Sequence, residues 1–145
     1  MKRFCTYHEY RFSYGLAALT GIMTGLADAT IDDWSVKAFV WSGILMLYAL
    51  IASYEFIVMP TPPHPLLQAF LFILTAPLGL LSAHHFTWYL LIIMQGKPIE
   101  FRLWLAPNIY ADLNTYNTIM LISFLVYLLY LIITNFMSCE KRYER

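Results

Sequence analysis

Four ionisable residues of this sequence fall inside long apolar runs: Asp28, Glu55, His84 and His85. Placing a charge at the centre of a bilayer costs roughly 2.5–3.5 kcal/mol on insertion scales, so each is a candidate for ion, proton or electron handling. Asp28 closes the first run and reads either as part of an interfacial acidic group with Asp32 and Asp33 or as an ion or proton site. Glu55 precedes Pro60 by little more than one helical turn. That is about 5 Å of rise, short enough for its carboxylate to snorkel to the headgroups. Its other reading is a partner for a basic group, or a proton-handling carboxylate, with Ser53 and Tyr54 making a polar patch.

His84 and His85 are adjacent. Successive helical residues point about 100° apart, so the two cannot ligate one metal from a regular helix. A pair at i and i+4 would be a much stronger metal signal. One of them could ligate haem, but no second axial ligand is evident; the plainer reading is hydrogen-bonded histidines within a bundle. His8-Glu9-Tyr10-Arg11-Phe12 begins like H-E-x-x-H but ends on Phe, and there is no phosphate-binding Gly-rich loop, no G-x-S-x-G and no C-x-x-C. The expectation is no catalytic residue, no metal site and no cofactor. A lipid-modifying enzyme would need His84 or His85 to meet a carboxylate such as Asp28.

What positions these residues follows from composition. The chain has 145 residues, 60% apolar, 17% aromatic and 12% charged, with nine Lys+Arg against nine Asp+Glu. A water-soluble domain this small needs more charge to cover its surface. A nucleic-acid binder would show a basic excess, and a disordered chain would lack the aromatic and aliphatic load. The expected solvent is lipid, so the expected fold class is an all-α integral membrane protein. Its 145 residues form one four-transmembrane-helix domain, with helices at about 12–31, 38–59, 66–95 and 118–137. Period-two alternation, the barrel signature, is absent. Pro60-Thr61-Pro62-Pro63-His64-Pro65 and Gly96-Lys97-Pro98 interrupt the runs, and Asn114, Thr115 and Asn117 offer caps for the last one. Ala27-Asp28-Ala29 has the form of a signal-peptide cleavage site, but another apolar run follows so closely that a retained helix is expected.

The third run is long for one span. It reads as a single tilted helix kinked at Pro77, or as a helix ending near Ala83 followed by an interfacial return carrying Trp88 and Tyr89. The burial of His84 and His85 depends on that choice. Between the third and fourth helices a short amphipathic extracytoplasmic segment is expected, because Phe101-Arg102-Leu103-Trp104-Leu105 sets large apolar groups around one cation. Phe101, Arg102 and Trp104 would form a partner-docking loop.

Lys2, Arg3 and Arg11 precede the first helix, and Lys141, Arg142 and Arg145 follow the fourth, against Lys37, Lys97 and Arg102 on the other face. The positive-inside rule then places both termini in the cytoplasm, in a plasma or inner membrane. Cys5 and Cys139, both terminal, would be free thiols there. Ala17, Gly21, Gly25 and Ala29 recur every four residues and form a helix-packing face suited to close approach, within the bundle or between copies.

Size and four-helix style resemble the small immunity proteins that act against pore-forming toxins, a likeness of architecture alone. The expected partners are the lipid bilayer and another membrane protein or a second copy, with no nucleic acid. The expected function is protein–protein interaction in the membrane, as an accessory subunit, assembly factor or immunity-type inhibitor. The alternative is an oligomeric ion-, proton- or electron-handling protein that uses Asp28, Glu55 and His84/His85.

Overall fold

The structure, a computed structural model, describes residues 11–58, 65–97 and 113–137. They form four helices: α1 (Arg11–Thr30), α2 (Trp34–Val58), α3 (Pro65–Met94) and α4 (Leu113–Met137). Three of them, α2, α3 and α4, are long and apolar enough to cross a membrane. The fourth, α1, has 20 residues but includes Ser13, Thr20, Thr24, Asp28 and Thr30, and it does not join that group. Its place in the bundle explains its polarity. The chain runs up and down, and α1 packs against α3, α2 and α4, whereas α2 packs closely on α1 alone. Ser13, Thr20 and Thr24 are buried by neighbouring helices, so their polar groups face protein rather than the surroundings of the bundle.

Local chemistry sets the ends. The α1–α2 connection is shorter than the sequence implies, because Asp33 caps α2: its Oδ1 accepts the Val36 amide at 2.9 Å. Helix α3 continues through Pro77 and past His85. It stops where Gly96 adopts φ 63°, with the Gly96 amide on the Ile93 carbonyl and the Lys97 amide on that of Ile92. This pair of bonds is the Schellman stop, and its left-handed residue favours glycine. Helix α4 starts before the expected caps; Asn114, Thr115 and Asn117 lie inside it, and Asn117 is committed to His85 instead. The expected amphipathic segment with Phe101, Arg102 and Trp104, and both cysteines, lie outside the described residues.

The small-residue face of α1 lies against α3. A Cβ on Gly21 would overlap the Leu80 carbonyl oxygen and approach Ala83 Cβ to 2.9 Å, and one on Gly25 would come within 2.5 Å of the His84 carbonyl oxygen. These two parallel helices meet backbone to backbone, a close approach that small residues permit.

Below that contact sits an aromatic core of Tyr14, Ala17, Ala76 and Tyr127. The Tyr127 ring fills the space beside Gly79, and its hydroxyl donates to the Tyr14 carbonyl. Tyr127→Phe keeps the ring and removes that bond, so it is expected to cost about 1 kcal/mol. Tyr127→Ala also opens a cavity and is expected to cost about 3–5 kcal/mol. Unfolding in mixed micelles measures both, and equal costs would contradict this account of the core.

Candidate functional site

The polar candidates separate into three clusters. The first lies where α1 ends and α2 begins. Asp28 accepts from Lys37 Nζ at 2.7 Å through one carboxylate oxygen, and His84 Nε2 stands 3.6 Å from the other. His84 Nδ1 is 3.0 Å from the Thr24 hydroxyl. Trp41 completes the enclosure: its indole N–H donates to the Thr24 carbonyl at 3.1 Å, and its ring stands perpendicular to the His84 imidazole at 5.3 Å. Asp28 therefore belongs to a charge cluster joining three helices rather than to the acidic turn. Within that turn, Asp32 pairs with Lys97 at 3.5 Å, with the aspartate almost fully exposed, so that pair contributes little.

The second cluster surrounds His85, which is 3% exposed. As helical spacing requires, it points away from His84, toward α4. Its Nε2 meets Asn117 Oδ1 at 2.7 Å, and Tyr89, Tyr116 and Phe86 enclose the ring. An N–H donated to an amide oxygen fixes α3 against α4.

The third cluster is at the opposite end of α1. Glu55 is buried, and its carboxylate accepts the Phe12 amide at 3.2 Å, the Ser13 amide at 2.8 Å and the Ser13 hydroxyl. The side chain does not snorkel outward, and among the described residues it has no cation partner. It satisfies the free amides that begin every helix, and a carboxylate there also meets the positive end of the helix dipole.

Asp28 and Glu55 thus mark opposite ends of α1, and His84 and His85 face different helices. Their residue types alone do not show the partners that decide their chemistry, namely Thr24, Lys37, Trp41, Ser13 and Asn117. One signal was available. Lys37, Trp41, Tyr48 and Glu55 are spaced four, seven and seven apart, so they share one face of α2. Each bonds to α1, with Tyr48 donating to the Ser13 carbonyl at 3.2 Å. The α1–α2 seam is therefore a polar one.

Asp28, His84 and Thr24 follow the carboxylate–imidazole–hydroxyl order of a nucleophile relay. The hydroxyl, however, is buried in the helix interface, with the Thr20 and Gly21 carbonyls each 3.0 Å away. The grooves beside the bundle, one between α2 and α3 and one between α1, α3 and α4, are apolar and carry no ionisable side chain. Among the described residues no three His, Cys, Asp or Glu side chains gather as a metal site would require. No family model, curated protein or solved structure matches the chain.

Proposed function

We propose that this chain is a small polytopic membrane protein that acts by binding another membrane protein in the plane of the bilayer, as an accessory subunit, assembly factor or immunity-type inhibitor. All four helices span in this reading, α1 as the central one, whose polar groups are covered by protein. Both ends face the cytoplasm of a plasma or inner membrane, following the six basic residues that flank the outermost helices against three on the other face.

The observation that carries the reading is the asymmetry of α2. Its polar stripe is spent on α1, and apart from Glu55 none of its residues is buried. Phe39, Met46, Leu50 and Ile57 form the opposite stripe, each at least 60% exposed. The buried polar groups meanwhile close on one another within the chain. That arrangement favours a docking protein over one that conducts ions, since Glu55 is held by main-chain amides at one end and Asp28 by Lys37 at the other.

Leu50→Trp tests this. Lipid accepts either apolar side chain, whereas a packed protein interface does not accept the added volume. The expected result is an unchanged monomer fold and at least about a threefold loss of whatever native-membrane partner co-purifies with the wild type in mild detergent. Equal recovery of the same partner would overturn the assignment of α2 as the docking face.

A further inference from the structure

Beyond the docking role, the end of the bundle brings Thr24, Asp28, Lys37 and His84 together. The Thr24 hydroxyl has three acceptors for its one hydrogen: His84 Nδ1, the Thr20 carbonyl and the Gly21 carbonyl, all at 3.0 Å. When the hydroxyl donates to Nδ1, the imidazole is neutral and its only proton is on Nε2, facing Asp28. When it turns to a carbonyl, its oxygen can accept from a protonated Nδ1. Uptake of a second proton by His84 therefore requires one hydroxyl rotation and keeps Nδ1 and the Thr24 hydroxyl bonded to one another.

The charges nearby give that proton a consequence. Asp28 from α1 and Lys37 from α2 balance one another at 2.7 Å, while the 3.6 Å gap from Asp28 to His84 Nε2 is too long for a hydrogen bond. His85, on the same helix as His84, faces away, and the ionisable group that α4 brings to this end, Tyr116, stacks edge-on to His85. We propose that His84 is a proton-binding site that takes its second proton on Nδ1 against Thr24 and, once charged, shares the Asp28 carboxylate with Lys37, each on its own oxygen, so that the added positive charge weakens the tie between α1 and α2.

Trp41 reports on His84, and Trp88, whose ring lies 6.2 Å from His85, reports on the other histidine. The full chain labelled with 5-fluorotryptophan, in phosphatidylcholine nanodiscs, gives both signals by fluorine NMR. The expected result is a Trp41 shift that titrates with acid and is lost in His84→Gln. Thr24→Val removes the acceptor for the second proton, so the midpoint should fall by about one pH unit, a tenfold loss of proton affinity. Thr24→Ser should restore it. Asp28→Asn should also lower the midpoint, and Lys37→Gln should raise it, since the carboxylate then has no competing cation. Lys37→Gln carries the test if the buried variants do not fold, because Trp41, Tyr48 and Glu55 still hold α2. A titration that survives His84→Gln, a midpoint indifferent to Thr24→Val, or a midpoint unchanged or lowered in Lys37→Gln would overturn the proposal.

Discussion

Gly21→Leu is expected to abolish the packed bundle while leaving the individual helices helical. A leucine Cβ at this position meets the Leu80 carbonyl oxygen, Ala83 Cβ at 2.9 Å and the His84 amide nitrogen at 3.0 Å. Two of these are main-chain atoms of a regular helix and cannot rotate aside, so α1 must lift from α3. Overpacking a well-filled interface typically costs about 1–3 kcal/mol. Here the obstruction is backbone and Thr24–His84 lies one turn further on, so about 3 kcal/mol or more is expected. Gly25→Leu should behave alike. Gly43→Leu is the control: a Cβ there finds nothing within 4 Å, and leucine has the better helix propensity, so stability should hold or rise by about 0.5–1 kcal/mol. Reversible unfolding of the three variants in mixed micelles measures this. A Gly21→Leu protein as stable as Gly43→Leu would refute the backbone contact between α1 and α3.

The second large effect is expected at Glu55. Its carboxylate is the shared acceptor for two amides and one hydroxyl at the start of α1. Glu55→Ala leaves these donors unsatisfied beneath α2, and hydrogen bonds to a charged group are worth roughly 1.5–3 kcal/mol each. A loss of about 3 kcal/mol is therefore expected, with Glu55→Gln intermediate, because an amide oxygen still accepts but carries no charge for the helix dipole. Ser13→Ala should cost about 1 kcal/mol. Amide hydrogen exchange localises the effect: Phe12 and Ser13 should lose protection in Glu55→Ala, while the Gly21–Leu80 contact keeps the middle of α1 protected. Unchanged protection at Phe12 and Ser13 would show that Glu55 does not cap α1.

These two residues also mark how far the sequence could be read. Gly21 and Gly25 announce a close helix contact by spacing alone, because small residues one turn apart can serve little else in a helix. Spacing does not say whether the contact is with α3 or with another copy. Glu55 was legible only as an expensive residue. Its reach to Ser13 spans 42 positions of sequence, and the amides it satisfies look the same in every helix. Similarly, Thr24 and Asp28 fall on one face of α1, but His84, 60 positions beyond Thr24, joins them only because α1 and α3 run parallel and in register.

Taken alone, the order of amino acids determined the apolar helices α2, α3 and α4 and the stop of α3 at Gly96, but it placed the start of α2 near 38 rather than at Trp34. Length, apolarity and a glycine able to adopt positive φ act within a turn or two of chain. The tertiary structure decided that the most polar helix lies in the middle. It also decided that Asp28, Glu55, His84 and His85 serve three separate clusters, and that α2 is left bare on one side. Those outcomes depend on which polar groups can find partners out of water, and a partner is a matter of distance in space, which spacing along the chain does not encode.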